Sequence, residues 1–242
     1  MLAATMKKKT KTKRPKLVGT ETALAAFEKL KAHYPEAHTE LDHKSAYELL
    51  VSVVLSAQTT DVAVNKATPK LFADYPDAEA LAKAEPLQIE PYVATLGFFR
   101  QKAKSIVMLA RSIVETHGGE VPGTMADLVK LRGVGRKTAN VVLGAWFHSP
   151  EGVVVDTHVQ RLAQRLGWSR HQDPEDIEKD LMDRFPKADW DMLSHVLIWH
   201  GRRCCFAQKP SCKECPVSDL CPSAFKAEKI GRKPPRTRKK KP

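Results

Sequence analysis

No stretch of eighteen apolar residues occurs in the 242-residue chain, so no membrane-spanning helix is expected. The lysines near the amino terminus are not followed by a hydrophobic h-region, so no secretory signal is expected either. No internal repeat is visible. No acid interrupts residues 1–16, where Lys7, Lys8, Lys9, Lys11, Lys13, Arg14 and Lys16 stand, and Glu228 is the single acid of residues 226–242 against nine Lys/Arg. Removing the +7 and +8 of these ends from the net charge of +12 leaves the body at −3. Basicity is thus a property of the ends, which read as disordered tails (1–16 and 226–242) able to bind polyanions without sequence preference, or simply to solubilise the chain. Five cysteines, four of them within residues 205–221, do not make a secreted disulfide framework. A reducing, cytoplasmic compartment and a metal site are expected instead. A chain of this length buries one large core or two modest ones.

The segment Leu131-Arg132-Gly133-Val134-Gly135-Arg136-Lys137-Thr138-Ala139-Asn140 carries the most information. Two glycines around a valine let the backbone turn tightly, at positive φ if needed, and admit another molecule close to the main chain. Successive N–H groups there, followed by a helix start, form an anion-binding nest. Upstream, Thr124-Met125-Ala126-Asp127 reads as a capping box opening a short helix with Leu128 and Leu131. Downstream, Ala139, Val142, Leu143 and Trp146 recur at helical spacing as far as Phe147. An ordinary αα-corner is the competing reading of the glycines alone.

Helical periodicity runs through nearly the whole chain. Leu24, Phe27, Leu30 and Tyr34 form one stripe. Ser45-Ala46-Tyr47-Glu48 caps a helix apolar on nearly every side (Leu49, Leu50, Val51, Val53, Val54, Leu55), hence central. Helices are expected over 61–72, with Pro69 kinking or restarting it, over 77–84 and 91–96, and over 101–117 before Gly118-Gly119. A short apolar run, Val153-Val154-Val155, meets Asp156-Thr157 and a helix through Leu166; further stripes follow at Ile177, Leu181 and Phe185 and at 190–200.

Cys205, Cys212, Cys215 and Cys221 have six, two and five residues between them. Thiolates ligate both zinc and iron–sulfur clusters, and the spacing alone leaves both open. Cys204 is left over; beside Cys205, it is expected to point away and to ligate nothing.

The hairpin segment resembles the helix-hairpin-helix of base-excision DNA glycosylases, and the chain from about Leu17 to Cys221 resembles the endonuclease III family. That resemblance implies an all-α fold of two lobes with a DNA cleft between them. One is a six-helix barrel over 39–149, containing the helix-hairpin-helix at 124–147. The other is a cluster lobe over 150–225, packed with the first helix at 17–38. It implies a 4Fe–4S cluster on the four spaced cysteines, a centre more architectural than catalytic. It implies a monomeric, nucleoid-associated enzyme on double-stranded DNA that excises oxidised pyrimidines and cleaves abasic sites.

In such an enzyme the ε-amine of Lys137 attacks the sugar's anomeric carbon and leaves a Schiff base. The amine must be neutral at that moment, against an ordinary lysine pKa of about 10.4. A helix dipole contributes about 0.3–1 kcal/mol, less than the ~1.36 kcal/mol that one pKa unit represents. Desolvation and nearby cations such as Arg136 must therefore do most of the work. Asp156 is expected to stabilise positive charge developing on the sugar and to move protons, while also capping the helix that starts at Thr157. By the same resemblance Gln58 fills the hole left by the everted base, Phe98 stands where the family has an intercalating leucine, and Asp61 lies near the lesion pocket. Arg132, Gly133, Val134, Gly135, Arg136 and Lys209 meet the DNA backbone. Burial beside Phe99 is the competing account of Phe98, solvation that of Lys209, and capping of the next helix that of Asp61.

Lys137 and the short carboxyl-terminal tail argue against an adenine glycosylase, and the cysteine array argues against an 8-oxoguanine lyase. A non-catalytic DNA-binding module remains the rival from another class; it predicts binding without strand nicking.

Overall fold

The computed structural model describes residues 16–231. Most of the two basic tails falls outside the described residues, but 226–231 is described and corrects the expected start of the second tail: Ala227–Lys229 form a 3-10 turn and Ala227 is buried. Among the described residues, every regular element is helical and no strand occurs, in agreement with the expected all-α class. The run Val153–Val155 is buried and lies in no regular element, and its Val154 N–H donates to Ser194 Oγ at 2.9 Å. No helix among the described residues is long and apolar enough to cross a membrane.

Two compact units divide the chain. The first comprises the described parts of 1–37, 155–186 and 196–242. It contains α1 (Thr20–His33), α9 (Thr157–Arg165) and α10 (Pro174–Arg184), together with the later residues of α11 (Trp190–Arg203) and the cysteine loop. Phe27 of α1 meets Phe185 edge-on at 5.6 Å, and Trp168 meets the same ring at 4.9 Å. Gly167, at φ +71°, is a position that only glycine fits, because a Cβ would lie 2.3 Å from the Lys16 carbonyl oxygen.

The second unit comprises 38–154 and 187–195. It holds α2 (Ala46–Leu55), α3 (Asp61–Asp74), α4 (Ala78–Ala82), α5 (Pro86–Val93), α6 (Phe99–His117), α7 (Met125–Leu128) and α8 (Arg136–Ala145). Ser45 caps α2 as expected, its hydroxyl accepting the Glu48 N–H at 3.1 Å. Leu49, Leu50, Val51 and Leu55 are fully buried, each side chain stabilising by about 1.5–3 kcal/mol. Around this central helix pack α3, α6 and α8, while α6 also covers α4 and α5.

No new helix starts at Pro69: α3 is continuous from Asp61 to Asp74 with the proline inside it. Pro69 is exposed, so its ring sits on the solvent face, where water can satisfy the carbonyl that has lost its N–H partner. The helical piece expected at 91–96 instead begins at Pro86 and ends at Val93. Pro86 takes the first helical position, where its missing N–H would have no acceptor anyway.

Candidate functional site

The glycine-rich turn joins α7 to α8. Thr124 Oγ1 accepts the Asp127 N–H at 3.2 Å and donates to Asp127 Oδ2 at 2.8 Å, closing the start of α7. The chain then turns at Gly133, with φ +79°, and Gly135 becomes the N-cap of α8. Arg136 and Lys137 occupy the first two positions of that helix, and both are exposed, as are Arg132, Gly133 and Gly135. Val134 differs: its side chain is buried in the core with Leu131. The hairpin is thus anchored by Leu131 and Val134, and Val134 offers a ligand its main chain alone. N–H groups of a helix's first turn have no acceptor within the helix, so Arg136, Lys137 and Thr138 open α8 with the positive end of its dipole.

Asp156 belongs to the other unit. It is the N-cap of α9, with Oδ1 accepting from the N–H groups of His158 at 2.7 Å and Val159 at 2.8 Å. One carboxylate oxygen is therefore spent on the cap.

Two further turns lie on the second unit. Gln58, at φ +56°, is exposed between α2 and α3; Phe98, at φ +60°, is 71% exposed ahead of α6. Burial beside Phe99 therefore does not describe Phe98, while Phe99 does pack against the core. Asp61 is the first residue of α3, but the cap is Thr60, whose Oγ1 accepts the Ala63 N–H at 3.3 Å. Asp61 supplies the negative charge that suits a helix N-terminus.

Cys205, Cys212, Cys215 and Cys221 line one cavity of the first unit, with Leu162, Leu166 and Ala224 among its apolar walls. Cys204 lines it too, which corrects the expectation that it points away. The helix end explains this: the N–H groups of Cys204 and Cys205 both reach the His200 carbonyl, at 2.9 and 2.8 Å. The chain tightens there, and neighbouring side chains come to one side. The Cys204 thiol donates to the Ser211 carbonyl at 3.6 Å, and His200 Nε2 lies 3.5 Å from Cys215 Sγ.

Burial pushes the Cys204 and Cys221 thiols up to about 12, and raises Cys215 as well. Metal binding here must displace protons, and the donor set is soft sulfur in an apolar pocket. These residues fit an iron–sulfur centre.

Two cations that no motif flagged support this loop. Arg165 is fully buried and donates to the carbonyls of Phe206 (2.6 Å), Ala207 (2.9 Å) and Ile230 (3.0 Å) and to Cys205 Sγ (3.4 Å). Arg161 donates to the carbonyls of Gly201 (2.9 Å) and Cys205 (3.1 Å). The available signal was two arginines four residues apart on a helix whose neighbours, Leu162 and Leu166, point inward. Lys209, in the loop at φ +48°, is exposed.

Residues 51–187 match the HhH-GPD superfamily base excision DNA repair protein family, and residues 205–221 match the iron-sulfur binding domain of endonuclease III. Endonuclease III of Synechocystis sp. is 52% identical over 81% of this chain and 89% of its own length. Endonuclease III of Bacillus subtilis is 44% identical over 85% of this chain and 94% of its own. Among solved structures, a trapped endonuclease III–DNA covalent intermediate, an estranged-adenine complex, has a TM-score of 0.81 at 38% identity, covering 88% of this chain and 99% of that one.

Proposed function

Since this chain belongs to the endonuclease III family of HhH-GPD base excision repair proteins, a bifunctional DNA glycosylase and abasic-site lyase with a 4Fe–4S centre, we propose that Lys137 and Asp156 carry its chemistry on oxidised pyrimidines in duplex DNA. The observation that carries this reading is the position of Lys137: exposed, in the first turn of α8, directly after the left-handed turn at Gly133.

In the proposed sequence the neutral Lys137 amine forms a bond to C1′ as the glycosidic bond breaks, and the ammonium so formed gives up a proton that ends on the departing base nitrogen. The nitrogen lone pair then forms the C1′=N bond as the C1′–O4′ bond breaks, O4′ takes a proton, and the opened sugar is left as a protonated Schiff base. Removal of a C2′ proton then breaks the C3′–O bond, and the 3′ phosphate departs with those electrons. Water finally releases the lysine. Asp156, held by its cap hydrogen bonds, offers a fixed negative charge to the sugar as it becomes positive, with no reorganisation at the moment of reaction. Gln58 and Phe98, both exposed on left-handed turns, are placed in the stack left by the everted base. Eversion costs a few kcal/mol, part of which such contacts offset. Arg132, Gly133, Val134, Gly135 and Arg136 grip phosphate, Lys209 does so from the cysteine loop, and Asp61 borders the lesion pocket.

Cys205, Cys212, Cys215 and Cys221 are the proposed ligands of the cluster, with Cys204 excluded on spacing. When bound, the cluster supplies a covalent staple across residues 205–221. The enzyme works as a monomer in the bacterial nucleoid. A strand-scission assay on a duplex carrying thymine glycol tests the reading: nicking at the lesion with a borohydride-trappable adduct is expected. Binding without nicking would instead favour a non-catalytic DNA-binding module.

A further inference from the structure

Lys102 is buried, only 6% exposed, and is the single lysine in that state among the described residues. No carboxylate pairs with it there. Its ammonium donates to Thr59 Oγ1. The Thr59 hydroxyl in turn lies 3.5 Å from the Ala57 carbonyl, so the contacts bracket Gln58, the residue between them. Phe98 is the N-cap of α6, one turn before Lys102, whose N–H makes the first helical hydrogen bond to the Phe98 carbonyl at 3.0 Å. The Lys102 side chain therefore ties the turn carrying Gln58 to the end of α6 that carries Phe98. Both turns hold a non-glycine residue at positive φ, 56° and 60°.

A side chain in the left-handed region costs of order 1–3 kcal/mol and persists only where surrounding contacts over-determine it. Burying an ammonium against a lone hydroxyl also costs stability. Packing does not explain why a lysine links two such turns, since methionine would fill the same space at lower cost. From this we infer that Lys102 is a positioning residue that holds the Gln58 turn and the Phe98 turn in fixed register for entry into the DNA stack. The inference rests on the roles proposed above for Gln58 and Phe98. Lysine suits the task because its flexible four-carbon stem spans from α6 to the turn and ends in a donor. It acts through those two residues and makes no contact with the reacting atoms.

The test uses the full-length, cluster-loaded protein and a duplex with a tetrahydrofuran abasic analogue opposite 2-aminopurine, whose fluorescence reports how the space opposite it is filled. Wild-type binding should change the signal, and Gln58→Ala should reduce that change. Lys102→Met should reduce it at least twofold and slow single-turnover excision several-fold. Thr59→Val, at a half-buried position with little bearing on folding, should do the same, and the double variant should be no worse than either single one. A full signal in Lys102→Met and Thr59→Val, with loss in Gln58→Ala, overturns the inference and leaves the role of Gln58 standing. Independent, additive losses overturn it as well. An unchanged signal in Gln58→Ala removes the role of Gln58 itself, and the inference falls with it.

Discussion

Arg165 Nη1 lies 3.4 Å from the sulfur of Cys205, and the fully buried side chain also donates to the backbone carbonyls of Cys205, Phe206, Ala207 and Ile230. A loop of prolines and cysteines has few backbone partners of its own. The arginine fork supplies them from a rigid helix and adds a donor to a proposed cluster ligand. Hydrogen bonds of this kind to ligand sulfurs are one of the protein's levers on cluster stability and potential.

Replacing Arg165 by Met removes charged hydrogen bonds to the carbonyls of Phe206, Ala207 and Ile230. At about 1.5–3 kcal/mol for one such bond, a loss of about 1.5–3 kcal/mol or more is expected, lowering Tm by roughly 3–12 °C for a chain of this size. Iron content per chain should fall in parallel. A thermal melt and an iron assay check this; unchanged values would show that the fork is dispensable.

Lys137→Ala should abolish the borohydride-trapped adduct while leaving affinity for a duplex with an abasic analogue within a few-fold of wild type. As a lost phosphate contact it would lower the slope of log K against log salt by no more than about 1. A trap that survives this change removes the assignment.

Asp156 has two tasks that substitution separates. Asparagine caps helices as well as aspartate does, so Asp156→Asn should keep the melting temperature and lose about 10²–10⁴ in rate. Asp156→Ala should lose a comparable rate and also about 1 kcal/mol of stability. Equal losses of rate and DNA affinity in Asp156→Asn would favour a structural role.

Removing the metal, or replacing Cys212 by Ser, should loosen residues 205–221 because the proposed ligands then revert to half-buried thiols with no common centre. Limited proteolysis should cut within that loop, while the helical circular dichroism of the 38–154 unit persists. Resistance to cleavage in the iron-free protein would contradict the staple.

Burial lowers the Lys102 ammonium below the ordinary lysine value. The folded state therefore gives up this proton at lower pH than the unfolded chain, whose lysines titrate near about 10.4. Between those two values the unfolded state binds more protons, so this group's contribution to stability rises with pH across the window and is flat below it. Urea unfolding at neutral pH and near the top of the window should show wild type gaining on Lys102→Met. A constant difference would contradict the burial of a charged amine.

Helical class, most helix starts and the cysteine array were legible in sequence because each rests on local rules. Ser45, Thr124 and Asp156 cap because short polar side chains reach the N–H groups two or three residues on, and Leu49, Leu50 and Leu55 repeat with the period of a helix. The endonuclease III resemblance was legible for the same reason, since Gly133 to Lys137 and Cys205 to Cys221 are contiguous signatures. Only the tertiary structure decided that Pro69 rides on a solvent face, that Val134 is an anchor, and that Cys204 turns toward the cysteine cavity. It alone showed that Arg165 and Lys102 are buried. Those outcomes depend on which residues distant in the chain surround a side chain: the partners of Arg165 stand about forty and sixty-five residues away, and Thr59 stands 43 residues from Lys102. A charged residue on a helix reads as solvated until packing encloses it, and no local pattern records that enclosure.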